Sequence, residues 1–212
     1  MKNVLLFGAT GYVGKKFVEL YGDQYHIIQA PGSQELDFRS PDIDRVLRLA
    51  ERPLDGVLFL QGCNPSVSAY EVDDAHFRGM MDINIMTPLK IVRALHCNDL
   101  LSRSASVVFV SSIARLKGSY DPAYASAKAG LQGLQATLSN YFPHVRFNSI
   151  SLGLVDGSPV HKGMTPDFVQ KHLDAMGGAL VDVKDACKTI ELLLECSSIS
   201  RAMIDIDRGH KV

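Results

Sequence analysis

NVLLFGATGYVG, residues 3–14, is the stretch whose reading decides the fold. NVLLF is a continuous apolar run, as expected of a strand buried on both faces of a parallel sheet. It opens into Gly8-Ala9-Thr10-Gly11-Tyr12-Val13-Gly14 and then into the helical pattern KKFVELYG. Strand, glycine loop and helix in this order form a phosphate cradle. Gly8 permits the tight turn, Gly11 the approach of a pyrophosphate, and Gly14 the close contact of helix and strand. The backbone N–H groups of the loop and helix start, over Thr10, Tyr12 and Val13, are the expected phosphate donors.

Outward from this unit, strands and helices alternate. YHIIQA (25–30) reads as a second strand, and LDF (36–38) as a short third one with no helix between them. Pro41 opens a helix over DIDRVLRLAE, and DGVLFL (55–60) is the next strand. A long helix over 82–97, a strand at 107–110, a helix from Tyr124 to about residue 140, and strands at 145–150 and 202–206 follow. The pattern predicts one α/β domain over residues 1–212: a Rossmann-type, doubly wound parallel sheet of about seven strands, with helices on both faces. Residues 154–180, flanked by glycines, read as a short lid.

The end of the second strand bears on cofactor choice. An acid there would bond the adenosine ribose and select NAD. Ala30-Pro31-Gly32-Ser33 offers none before Glu35, while Ser33 and Lys15 would suit a 2′-phosphate, so NADP(H) is favoured over NAD(H). Asp37 is either a contact for the adenine amino group or a loop cap. Gly62, after the 55–60 strand, is where backbone would pass the nicotinamide ribose. Asn84 falls near the start of the long helix, where a cap is the alternative to a site role.

The chemistry concentrates in VVFVSSIARLKGSYDPAYASAKAGLQG, residues 107–133. Ser112 closes a strand, and Tyr124 and Lys128 lie four apart on one helix face. If they converge, Ser112 donates a hydrogen bond to a carbonyl oxygen, Tyr124 protonates it, and Lys128 lowers the phenol's pKa. A second Tyr-x-x-x-Lys pair, Tyr12 with Lys16, is expected to have no catalytic role.

A hydrophobic content of 46% with 21% charged residues and a formal net charge of −1 fits a globular enzyme with no general attraction to nucleic acid or anionic membrane. The start of the chain does not read as a signal peptide, and a cytoplasmic protein is expected. Four scattered cysteines lack a Cys-x-x-Cys pair, and the seven histidines show no zinc spacing, so no metal is expected. His161 alone falls near the expected substrate segment.

These residues resemble the short-chain dehydrogenase/reductase family over almost the whole chain. The glycine spacing is that of its extended and atypical branches. The resemblance implies that Asp37 contacts adenine and that Asn84 of DINI joins Ser112, Tyr124 and Lys128 in a catalytic tetrad, holding a relay water. It implies that Lys128 also bonds the nicotinamide ribose, and that Gly153 and Val155 of SLGLVDG run past the carboxamide. DRG at 207–209 resembles the family's closing Asp-Gly-Gly. The chain departs from the pattern at Phe59-Leu60-Gln61-Gly62, where the family has Asn-Asn-Ala-Gly, at Leu152 and Gly157, and in a Ser112–Tyr124 spacing one residue short. The implied function is an oxidoreductase moving a hydride between NADP(H) and a small carbonyl or secondary alcohol. A sugar-nucleotide epimerase or dehydratase and a non-catalytic nucleotide-sensing or assembly protein are the alternatives. Family members pair through helices corresponding to 84–97 and 122–140, so a homodimer or homotetramer is expected.

Overall fold

The computed structural model describes residues 1–32, 35–64 and 66–210. Six strands form one sheet in the order β2-β1-β3-β4-β5-β6, every pair parallel. They are β1 (Lys2–Phe7), β2 (Tyr25–Gln29), β3 (Leu54–Phe59), β4 (Leu101–Ser112), β5 (Arg146–Leu152) and β6 (Met203–Ile206). The strand order reverses between β1 and β3, which makes the carboxyl ends of those two strands the switch point where ligands settle in such sheets.

Strand alternation divides the core. Val4 and Leu6 of β1 face the layer of α1 (Tyr12–Tyr21) and α9 (Val183–Glu195), with Phe17 and Ile190. Leu5 and Phe7 face α2 (Ile43–Leu49), α4 (Thr87–Cys97) and α6 (Pro122–Tyr141), with Val46, Ile91 and Leu131. All four β1 side chains are fully buried, which is why the run is continuously apolar rather than alternating. At the carboxyl end, Phe7, Phe59 and Phe109 stack across three strands with centroid separations of 5.0 and 5.4 Å. This aromatic floor lies directly under the switch point.

Among the described residues the sheet has six strands, close to the seven or so expected; residues 36–38, read as a short strand, form turns instead. Glu35 and Leu36 N–H both bond Gly32 O, and Ser40 N–H bonds Asp37 O, so the segment closes on itself and never reaches the sheet edge. Its apolar residues plug the core instead: Leu36 is buried, and Phe38 sets its edge on Phe7 at 5.5 Å.

A second difference lies in the long helix. The helical run begins earlier, with α3 (Asp74–Met81), capped by Asp73 on the His76 N–H. It passes through a π-helical turn, Asp82–Met86, and continues as α4. Asn84 therefore sits inside a helix and caps nothing. On the helices expected to pair, Ile85, Leu89, Leu131, Leu134 and Leu138 pack in this chain's own core, Leu131 and Leu138 buried and the other three in part. No described helix is long and apolar enough to cross a membrane.

Beyond β5, residues 154–180 carry two short helices, α7 (Pro159–Lys162) and α8 (Pro166–Ala175), and a single parallel bridge joins Val155 to Val181. Gly177 and Gly178 both take positive φ at the end of α8. The remaining helix, α5 (Ala114–Lys117), follows β4.

Candidate active site

The glycine loop is built as its spacing requires. Gly8 has φ +83°, and a Cβ there would lie 2.6 Å from Gln61 N, at the end of β3. A Cβ on Gly14 would lie 2.1 Å from Gly8 O, so the first turn of α1 rests on the loop itself. Gly11 caps α1 without a side-chain hydrogen bond, and the helix's first turn holds no acid. That leaves the Tyr12 and Val13 end of the helix positive and open to an anion. Gly11 and Thr10 are exposed at the mouth, and Thr10 Oγ1 approaches Gly32 across the loop. Tyr12 OH donates to Asp156 O at 2.9 Å, tying the loop to the 154–180 segment. Lys16, its partner in the second Tyr-x-x-x-Lys pair, binds Glu19 instead.

Asp37 is exposed, and its Oδ1 accepts from Arg39 N at 2.9 Å, the loop-capping geometry. Ser33 lies outside the described residues. Lys15 is exposed on α1.

At the other end of the crevice, β4 delivers Ser111 and Ser112 beside α6. Ser111 Oγ donates to Lys128 O at 2.9 Å and fixes the strand end to the helix. Ser112 Oγ accepts from Ala114 N at 3.2 Å and stands beside the Tyr124 phenol, whose pKa it pulls down. Lys128 is only 3% exposed; its Nζ donates to Val110 O at 2.8 Å and lies 5.7 Å from the Tyr124 ring centroid. A Cβ on Gly62 would lie 3.7 Å from that Nζ, so β3 and α6 meet here. Asn84 is also 3% exposed, with Nδ2 donating to Met80 O at 2.8 Å across the π turn. Extra residues in a helix recur at functional sites because they re-aim one side chain.

Burial sets the electrostatics. It pushes the Tyr124 phenol above its usual range, against the lowering by Ser112, with the charges at Cys63 and Asp121 adding to the rise. Burial in turn lowers Lys128 to about 8. Partial burial of the Cys63 thiol raises it, with Lys128 and Arg39 opposing.

Asp121 and His76 were not legible as site residues. Asp121 is fully buried; its Oδ1 accepts from Tyr124 N at 3.0 Å, and its Oδ2 meets His76 Nε2 at 2.8 Å. The only sequence signal was an Asp directly before a helix-opening Pro, a cap pattern.

On the third side, a Cβ on Gly153 would lie 2.9 Å from Met176 Cε and 3.1 Å from Asp207 Cα, so this glycine lets β5, α8 and the segment after β6 meet. Val155 turns its side chain into the core, leaving only backbone toward the crevice. His161 Nδ1 accepts from Gly157 N at 3.0 Å, with Asp156 Oδ1 3.2 Å away, and so braces its own loop.

Gly8 meets Gln61 past β3, Gly62 meets Lys128 Nζ, and Ser112 meets Tyr124, so this carboxyl edge of the sheet runs from the glycine loop to Lys128. Its fit to a dinucleotide rests on the open α1 terminus, the loop that no Cβ could enter at Gly8 or Gly14, and the glycine beside Lys128.

A family model described as short chain dehydrogenase matches residues 42–167, more than half of the chain. Asnovolin H dehydrogenase of Aspergillus novofumigatus is 28% identical over 177 residues, covering 74% of this chain and 68% of that one. Among solved structures, 4-hydroxyisoleucine dehydrogenase complexed with NADH superposes with a TM-score of 0.83 at 18% identity, covering 99% of this chain and 98% of that one. A small-chain dehydrogenase in complex with NADPH gives 0.82 at 18% identity, covering 98% and 97%. At these identities the structural likeness speaks for the fold.

Proposed function

Because this chain belongs to the short-chain dehydrogenase family, an oxidoreductase family built on the Rossmann sheet, we propose that it moves a hydride between NADP(H) and a small carbonyl or secondary alcohol. The observation that carries this reading is the buried Lys128, held at 2.8 Å by Val110 O beside Gly62 and over the Tyr124 ring. Holding an ammonium in such a place is costly, and structures keep one where it acts.

Gly8, Thr10, Gly11, Tyr12, Val13 and Gly14 would hold the pyrophosphate, Gly62 and Lys128 the nicotinamide ribose, and Gly153 and Val155 the carboxamide. The bound nicotinamide supplies or accepts the hydride. Ser112 orients the substrate oxygen by donating its hydroxyl hydrogen. Tyr124 donates its proton to that oxygen as negative charge develops there, and takes it back in the reverse direction. Lys128 stabilises the phenolate that forms. Residues 154–180 are the proposed lid: Tyr12 ties its start to the loop, and Gly177 and Gly178 give its far end backbone freedom.

NADP(H) is the proposed cofactor because no acid closes β2 at Ala30-Pro31-Gly32, while Lys15 lies exposed near the loop and Ser33 follows in sequence. The chain has no tryptophan, so nicotinamide emission reads binding cleanly. Titration should give tighter binding of NADPH than of NADH. Tighter NADH would overturn the cofactor choice, and binding of neither would favour the non-catalytic alternative.

A further inference from the structure

The helix α8 is held down by little. None of its ten residues is buried, and its anchor in the core is Met176, the residue that closes it. A Cβ on Gly153 would meet Met176 Cε at 2.9 Å and Asp207 Cα at 3.1 Å, so the bare glycine lets α8 and the segment after β6 close on the end of β5. An element with so few apolar contacts lies at the low end of local stability. Each remaining contact therefore counts.

One such contact sets His172 of α8 against His210 of the C-terminal segment, with ring centroids 5.9 Å apart and planes inclined at 65°. Nδ1 of both rings is sealed from solvent and has no hydrogen-bond partner among the described residues. A neutral imidazole can leave Nδ1 as its bare nitrogen, whereas the imidazolium carries N–H on both nitrogens and would leave a buried donor unpaired. Burial, then the charge of Lys117 at the end of α5, then His210, hold the His172 imidazole below its ordinary value. Nearby carboxylates are engaged elsewhere: Asp174 accepts from Gln170 Nε2, Asp205 pairs with Arg115, and Asp207 Oδ1 accepts from Gly209 N. Of the other charged side chains on these elements, Asp167 and Arg208 are exposed and Lys171 lies over the Phe168 ring.

We propose that His172 and His210 form a pH-operated latch: neutral rings hold α8 against the C-terminal segment, and acidification releases it. The inference rests on residues 154–180 acting as a lid, and on nothing in the hydride chemistry. A released His172 titrates at the ordinary value of about 6.5, and a latched one lower. Above that pH neither state binds a proton, and the latch is fully in place. Below it the released ring takes up a proton that the latched ring refuses, so opening gains up to about tenfold per pH unit until the latched ring titrates too.

Backbone amide exchange of the whole protein reads the latch directly. After correction for the intrinsic pH dependence of exchange, amides over 167–176 should open several-fold more at pH 5.5 than at pH 7.5, with a ceiling of about tenfold for one proton. Those of α9 should not change. In His172→Phe, which keeps an aromatic ring but cannot titrate, the two pH values should give the same exchange. No rise in the wild type overturns the proposal. So does a rise that persists in His172→Phe, or one shared by α9, which marks general loosening in acid. Should the variant not fold, NMR titration of the wild-type histidine rings decides instead: His172 should titrate below an exposed histidine, and a value at or above that range overturns the latch. NADPH titration at both pH values separates the latch from the lid. If α8 is released at pH 5.5 and nicotinamide emission shows unchanged affinity, the latch stands and residues 154–180 are no lid over the cofactor.

Discussion

Tyr124→Phe should lower carbonyl reduction by about a thousandfold, within the range general acid catalysis supplies, and leave NADPH binding unchanged. The substitution removes one oxygen. Everything that positions the ring stays: Asp121 still caps the Tyr124 backbone N–H, and Ser111 still holds the following turn through Lys128 O. Ser112 keeps its own contact at Ala114 N, so the substrate oxygen would lose a proton donor but not its hydrogen bond. Burial keeps the wild-type phenol protonated well above neutral pH, which suits an acid in the reducing direction. Single-turnover rates beside nicotinamide fluorescence separate chemistry from binding. Retained turnover would remove Tyr124 from the acid role; lost binding would make it a cofactor-holding residue instead.

What the sequence made legible was local. The glycine loop could be read because its demands are steric and lie within seven residues, and the clash distances at Gly8 and Gly14 bear out its spacing. Tyr124 and Lys128 could be placed on one face because helix periodicity alone decides that. Three features were hidden because they depend on distant partners. His76 meets Asp121 across 45 positions, and nothing in DAHFRGMM announces it. α3 was not legible because half of its residues are exposed and Gly79 interrupts the pattern. Leu36 and Phe38 imitate a strand but plug the core, since periodicity cannot tell a short apolar segment in turns from one in a sheet.

Lys128→Met should raise stability at pH 7 and abolish turnover together. Lys128 has a folded pKa of about 8 against a usual 10.5. Below pH 8 the ammonium is charged in both folded and unfolded chains, and its burial costs about 3 kcal/mol, from 1.36 kcal/mol per unit. Between pH 8 and 10.5 the unfolded chain holds a proton that the folded chain releases, so wild-type stability rises with pH through that window. Methionine has no such charge to desolvate. Its gain at pH 7 is reduced by the hydrogen bond that Val110 O loses, about 1–3 kcal/mol where a buried acceptor is left unpaired, leaving a net increase of about 1 kcal/mol. Denaturant unfolding at pH 7 and at pH 10 measures both sides: the variant should lead at pH 7, and wild type, gaining about 2.5 kcal/mol between the two, should lead at pH 10. A wild type that gains nothing relative to the variant across that window would mean that the ammonium is not held as a desolvated charge. With the gain present and NADPH-dependent turnover lost, Lys128 would stand as a residue kept at the expense of stability, which is the mark of a group retained for chemistry rather than for the fold.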